Sequence, residues 1–334
     1  MKPTSPAALL VTHSADHFTI DRVAAAVERR GLRAFRLDTD LFPTVVRITH
    51  RHDGKAASTT FHAPHGSLDA ADVAAVWMRR VFVPRLPADV DPQFREWCER
   101  QASTGLRAAL GAVRGARFVN DPGRERDASN KIEQLAAAAE EGLATPRTIV
   151  TNDPDEVRAA HRLWNGAMVT KLLSALTTEM GAPSAAVYTS PVGEEDLADL
   201  DGLRLGPMIF QERVEKAREL RVACVGERLF AGAIDASRTE AGRLDWRRST
   251  AAECEWRPGA LPDDVGRRLV AVARRLGLVF GAADFIVTPD GRHVFLEINP
   301  AGEWGMLERD LGLPISEAIA DELAKGAKPA KPSS

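Results

Sequence analysis

The chain has 334 residues, 44% of them apolar and 27% charged, with a formal net charge of −3. That length allows two or three domains around a substantial core, and the charge gives no reason to expect non-specific binding to nucleic acid. Three isolated cysteines, Cys98, Cys224 and Cys254, indicate neither a disulfide framework nor a zinc module.

Residues 7–11 read as a buried strand, too short for a signal peptide, and no stretch approaches bilayer length. A cytoplasmic protein with no membrane partner is the expectation. Residues 20–30 place Ile20, Val23, Ala24 and Val27 at helical spacing before Gly31, and residues 34–37 resume as strand. This opening unit is of the kind that builds parallel sheets. Its first loop, Thr12-His13-Ser14-Ala15-Asp16, lacks the glycine fingerprint of dinucleotide binding. Short strands are expected at 38–40, 45–50 and 58–61, with a tight Asp53-Gly54 turn. His50, His52, His62 and His65 fall here, either as a metal cluster or, more simply, as residues of a polar strand face. Residues 74–83 form a further strand carrying Arg79 and Arg80, which either grip a carboxylate or phosphate or make surface ion pairs.

A long helix is expected at 94–113 and a domain boundary close after it. The helix from residue 128 carries Ile132, Leu135, Ala136 and Ala139 on one face, and strands follow at 145–150 and 168–172. In the second of these, Lys171 lies among apolar neighbours and must snorkel or find an anion. Residues 174–184 read as a loop only weakly rich in glycine. A buried strand at 207–214 turns polar at Gln211-Glu212-Arg213. In the next strand Glu219 and Arg221 share a face and could simply pair. Gly226-Glu227-Arg228 turns into a strand at 229–235. Amphipathic helices are expected at 262–276 and 314–323, and residues 325–334 form a tail expected to be disordered.

The most informative stretch is FGAADFIVTPDGRHVFLEINPAGEW, residues 280–304. Thr288-Pro289-Asp290-Gly291 reads as a type I turn between two strands, hence a hairpin. With an even loop, Val287 pairs with Arg292 and Asp284 lies opposite Phe295. Asp284, Glu297 and Asn299 then share one face, while Phe285, Val287, Leu296 and Ile298 face a core. An odd loop would turn Asp284 to the wrong face unless a second bulge compensates. Two carboxylates and an amide oxygen suit Mg²⁺, which favours few protein ligands plus phosphate oxygens. The plainer alternative is a pair of solvated acids.

The pairing of an Asp-bearing strand with Leu-Glu-Ile-Asn-Pro resembles the C-terminal metal site of ATP-grasp ligases. The string VFLEINPAGEW resembles one branch of them, the graspetide (microviridin-type) peptide macrocyclases. NKIEQLAAAAEEGLATPRTIVTND is similar to the opening of the ATP-grasp fold. The resemblance implies a mixed α/β architecture: a parallel-sheet pre-ATP-grasp domain over residues 1–118, a central subdomain over 119–205, and an antiparallel-sheet subdomain over 206–325. It implies ATP and Mg²⁺ as cofactors, with Lys131 and Lys171 on the phosphates, and Gln211, Glu212 and Val214 around adenine and ribose. The metal would be held by Asp284, Glu297 and Asn299. Residues 174–184 would cover the triphosphate. Arg221 would contact the transferring phosphate, and Arg247 of Asp245-Trp246-Arg247 would hold the reacting carboxylate. The same resemblance favours Arg79 and Arg80 as substrate-facing.

The implied reaction is activation of a Glu or Asp side chain of a precursor peptide as an acyl phosphate, followed by attack of a hydroxyl or amine. Glu194, Glu195 and Asp196 could pair with an arginine of the peptide's leader, or be a solvated helix start. A homodimer stays open as a partner state, since the sequence does not give the oligomeric state. Rival readings are an ATP-grasp ligase adding free amino acids to a small acid or a protein terminus, and a nucleotide-binding module without turnover. Two departures stand out: Glu303 replaces a frequent glutamine, and Arg126-Asp127 replace an aromatic-basic pair.

Overall fold

The computed structural model describes residues 5–173, 189–235 and 255–327. β1 (Ala7–Thr12) is buried along its whole length, as the unbroken run AALLVT requires of a strand covered on both faces. The helix Thr19–Glu28 returns the chain to β2 (Arg33–Asp38), which runs parallel to β1. A single 3₁₀ turn at Thr39–Leu41 takes the place of the strand expected at 38–40. β3 (Arg47–His52), β4 (Ala57–Ala63) and β5 (Gly66–Asp69) make a small antiparallel sheet. There His50 bonds Thr59 and His62 bonds Ser67, both at 2.8 Å. β6 (Val73–Met78) and β7 (Arg117–Val119) complete a parallel sheet in the order β2-β1-β6-β7. The helix between them is Pro92–Gly111.

β8 (Thr148–Thr151), β9 (Met168–Lys171), β10 (Ser190–Pro191) and β11 (Met208–Glu212) form the central sheet, ordered β10-β9-β11-β8. Because β11 hydrogen-bonds to β8 and β9, this sheet extends to Glu212, past the boundary expected near 205. The third sheet is antiparallel: β12 (Arg218–Val225), β13 (Arg228–Ile234), β14 (Arg257–Pro258), β15 (Phe280–Val287) and β16 (His293–Asn299), in the order β14-β13-β12-β15-β16.

Alternation along β12 and β15 gives this sheet two different faces. One buries Val222, Leu220, Phe285 and Val287 against Leu269 and Val272 of the helix Asp263–Arg275. The other packs Ala223, Val225 and Phe280 against Trp77 of β6, Trp304 and the final helix Ile315–Ala324. Further along the same face, the apolar residues give way to Arg221 and Asp284. Among the described residues no helix is long and apolar enough to cross a membrane.

Two amide side chains fix the sheets and helices to one another. Asn120, fully buried, donates to Phe280 O (2.8 Å) and Pro300 O (3.0 Å), and its Oδ1 accepts from Val279 N and Phe280 N (2.8 Å each). The end of β7 is thereby tied to the start of β15 and the turn after β16. Gln134 does the same for the helix Lys131–Glu140, donating to Ala128 O (2.7 Å) and Ile298 O (2.9 Å) and accepting from Ile298 N (3.0 Å). These bonds draw the Gln134, Ala137 and Ala138 face inward, so Ile132 is half-exposed, contrary to the expected stripe.

Asn120→Ala would orphan buried donors and acceptors at about 1–3 kcal/mol each, so a loss of roughly 3 kcal/mol or more is expected in urea unfolding. Glu125, in the helix Pro122–Ala128, has a buried carboxylate oxygen without a hydrogen-bond partner, and burial pushes its carboxyl up to about 7. The folded state then holds the proton more tightly than the unfolded chain, and stability falls as pH rises from the ordinary glutamate range through 7. Glu125→Gln is expected to stabilise the protein by up to ~3 kcal/mol at pH 8 and hardly at all at pH 4, read from unfolding curves at the two pH values.

Candidate active site

The hairpin forms with an odd loop. Gly291 N–H closes the turn on Thr288 O at 2.9 Å with Gly291 at φ +86°, and Val287 pairs with His293 rather than Arg292. A second irregularity, between Asp284 and Phe285, restores the phase: Phe285 faces Phe295, whereas Asp284 faces Glu297. The extra residue is Leu296, so Phe295 takes the core position expected for it. Asp284, Glu297 and Asn299 therefore do share a face, through two compensating register shifts rather than none.

Cations surround the acids. Arg221, the cross-strand partner of Asp284, bonds both its carboxylate oxygens at 2.8 and 2.7 Å and does not pair with Glu219, which is held by Lys216 at 2.6 Å. Lys131 Nζ meets Glu297 Oε2, and Asn299 Nδ2 donates to Glu297 Oε1 at 3.1 Å. Asp284 and Glu297 side chains are only 15% and 12% exposed, so each charge is largely removed from water and needs a partner. Lys131 stands at the first turn of its helix, which is capped by Asn130 and anchored on β16 by Gln134. The donor set is all oxygen, which fits Mg²⁺, and the cations now on the acids are of the kind that phosphate oxygens attract. Gly302 lets the following turn lie close: a Cβ there would stand 2.9 Å from Asn299 Cβ and 3.0 Å from Arg221 Nη2.

The other expected residues are distributed around this centre. Lys171 ends β9, opposite Ile209 of β11. Gln211 is buried and donates to Thr148 Oγ1 at 3.1 Å. Glu212 makes a two-point pair with Arg147 (2.8 and 2.9 Å), whose hydrogen bond holds the Glu212 carboxyl below its usual range. Val214 lines a cleft of about 360 Å³ between this hinge and the hairpin loop. Arg79 is 2% exposed and bonds Thr19 Oγ1 (3.2 Å), Ala301 O (3.1 Å) and Glu303. Arg80 is half-exposed, 3.5 Å from Glu303. Burial lowers the Arg80 pKa, as do the neighbouring charges of Arg79 and Arg221, against the pull of Glu303 and Asp16. Glu194, Glu195 and Asp196 are exposed at the start of the short helix Glu194–Ala198, with Asp196 accepting from Gly193 N at 2.8 Å. Arg247 and the loop at 174–184 lie outside the described residues. Sequence reasoning missed Asn120, Gln134, Lys216, Asp16 and Thr19. An amide just after a short strand or inside a helix pattern carries no periodic signal, and only the fold reveals its partners. Among the described residues, no group of three or more His, Cys, Asp or Glu is placed to hold a metal; His50 and His62 bond hydroxyls, and His52 accepts from Gly54 N at 3.2 Å.

A parallel-sheet domain followed by a central sheet bearing a lysine and an antiparallel sheet bearing two acids and an amide defines an ATP-grasp ligase architecture. Residues 7–126 match the MvdD pre-ATP grasp domain. The crystal structure of macrocyclase MdnB from Microcystis aeruginosa MRC is similar at 45% identity and TM-score 0.81, covering 95% of this chain and 98% of that one. Macrocyclase MdnC from the same source, bound with precursor peptide MdnA, is 35% identical at TM-score 0.84 over 96% and 99% of the two chains. A RiPP-associated ATP-grasp ligase of Chryseobacterium gregarium, in complex with ADP and a leader and core peptide, is 30% identical at TM-score 0.88 over 96% and 97%. Comparison with curated proteins finds no match. The chain belongs to the family of ATP-grasp peptide macrocyclases.

If Glu297 holds the metal, Glu297→Gln keeps the side chain's size and removes its charge. Loss of metal-assisted charge stabilisation, worth several kcal/mol, should lower ADP formation by about 100-fold or more in a coupled assay. Unchanged turnover would take Glu297 out of the site.

Proposed function

We propose that this protein is an ADP-forming ligase that uses ATP and Mg²⁺ to crosslink side chains of a ribosomal precursor peptide, as in graspetide biosynthesis. The observation that carries the reading is the gathering of Arg221 and Lys131 onto Asp284 and Glu297, beside Asn299, on a single sheet face. A peptide carboxylate and a triphosphate repel each other, so their reaction needs fixed positive charge where the γ-phosphate transfers. Lys131, Lys171 and Arg221 supply it in this reading, with Asp284, Glu297 and Asn299 holding Mg²⁺. The metal would polarise the phosphoryl group and neutralise charge on the leaving ADP.

Gln211, Glu212 and Val214 would seat adenine and ribose at the hinge, with Glu212 leaving Arg147 or sharing it. Arg80, with Arg79 behind it, and Arg247 would orient the peptide's Glu or Asp side chain. The carboxylate oxygen bonds to the γ-phosphorus as the bond to ADP breaks. A Ser or Thr hydroxyl or a Lys amine then attacks the acyl carbon, loses its proton, and phosphate departs, leaving an ester or amide ring. Exclusion of water matters because the acyl phosphate would otherwise hydrolyse. Glu194, Glu195 and Asp196 offer an exposed acidic face for a basic residue of the leader segment.

Macrocyclase MdnC is bound with precursor peptide MdnA and the Chryseobacterium gregarium ligase is in complex with a leader and core peptide, which favours a peptide over a free amino acid as substrate, and the polar constellation favours turnover over mere nucleotide binding. Mass spectrometry of a candidate precursor incubated with enzyme, ATP and Mg²⁺ tests the reading. Loss of one water per crosslink, with matching ADP release, is expected. An unchanged peptide mass would contradict it.

A further inference from the structure

Glu303 stands just past the β16 strand, in the turn that leads into the helix Gly305–Leu311. Its surroundings join three parts of the protein. Oε1 accepts from the backbone N–H of Trp304 (3.1 Å) and Gly305 (2.9 Å), at the start of the helix Gly305–Leu311. Oε2 binds Arg79 and lies 3.5 Å from Arg80 Nη2, both at the end of β6 in the N-terminal sheet. Its main-chain carbonyl accepts from Arg221 Nε at 3.1 Å, the same arginine that grips Asp284. Left to burial alone this carboxyl would be pushed up, but Arg79, the Gly305 amide and Arg80 together hold it below the usual glutamate range.

Adjacent arginines repel, and a buried guanidinium without a counter-charge is strongly unfavourable. Asp16 is 3.8 Å from Arg79 Nε but also accepts the hydroxyls of Thr12 (3.0 Å) and Thr19 (2.8 Å). Glu303 therefore supplies the closest compensation for Arg79. With Arg79 tied to Glu303, Ala301 O and Thr19, the guanidinium of that pair that remains half-exposed is Arg80's.

We propose that Glu303 is a positioning residue of the ligase site: it locks Arg79 into the wall between the N-terminal and C-terminal sheets and so presents Arg80 as the cation that receives the peptide's side-chain carboxylate. This rests on the ligase reading above for the identity of the carboxylate, but the geometry of the lock does not depend on it. The lock fixes the distance between Arg80, set by β6, and Arg221, set by β12, through one residue that touches both. A side-chain carboxylate held by Arg80 is then kept at a constant offset from the phosphate-side cation.

Two measurements on the full-length protein test it. The first needs no peptide: limited modification with phenylglyoxal, an arginine reagent, followed by peptide mapping. Wild-type protein should react at Arg80 with Arg79 protected, and Glu303→Ala should expose Arg79 to at least several-fold faster modification. Equal protection of Arg79 in the variant overturns the lock. The second is steady-state crosslinking alongside ADP binding by calorimetry. Glu303→Ala should raise the KM for the precursor peptide about 10-fold or more, while ADP affinity in Mg²⁺ stays within about twofold. Glu303→Asp should recover part of the loss, and Glu303→Gln should fall between. A merely structural role would weaken peptide and ADP together, and that result, like an unchanged peptide KM in Glu303→Ala, overturns the positioning role. A wild-type enzyme that processes no peptide would instead count against the ligase reading, leaving the arginine-protection result to decide the lock.

Discussion

Two carboxylates set on neighbouring strands, largely withdrawn from water, are tolerable only if positive charge is brought to them. Asp284 and Glu297 meet that requirement with Arg221 from the adjacent strand and Lys131 from a separate helix. Everything that fixes those four residues is thereby part of the site: the double register shift that turns both acids to one face, the Gln134 amide that seats the lysine helix, and the glycine that lets the following turn pass close to Arg221. Arg221 bonds Asp284 and Lys131 meets Glu297, so acids and cations face each other across this surface. A metal-bound triphosphate would satisfy both sets at once, with metal on the oxygens and phosphates on the nitrogens.

The same economy extends into the N-terminal domain. Arg79 and Arg80 directly follow β6 of the parallel sheet, yet their counter-charge, Glu303, comes from the turn after β16. Asn120 ties that turn to the end of β7 from the other side. Through Glu303, the end of the parallel sheet is joined to the face that carries Arg221.

Much of this was legible in the residues. Strong periodicity fixed the strand-helix-strand opening, the antiparallel strands and the final helix, and a hairpin carrying Asp284, Glu297 and Asn299 was visible from turn chemistry and alternation. Its register was not. A loop residue in the left-handed region and a bulge at Leu296 cancel each other, and neither leaves a trace in a two-residue period. Arg221 could be assigned to a face but not to a partner, since Glu219 beside it proved to belong to Lys216. The helix of Lys131 misled for a related reason. Its apolar stripe suggested burial of Ile132, but hydrogen bonds made by a polar residue, Gln134, decide which side faces the sheet. Long-range polar contacts of this kind obey satisfaction of buried groups, not hydrophobic pattern.

In the proposed reading, the acidic face of the β15–β16 hairpin holds a divalent cation which also carries the nucleotide phosphates. Anomalous diffraction from crystals containing ADP and Mn²⁺ addresses it directly. A manganese peak within coordinating distance of Asp284, Glu297 and Asn299, with Lys131 and Arg221 turned toward phosphate oxygens, is the expected result. Manganese bound elsewhere, or the two acids still paired with Lys131 and Arg221 while nucleotide is bound, would contradict it.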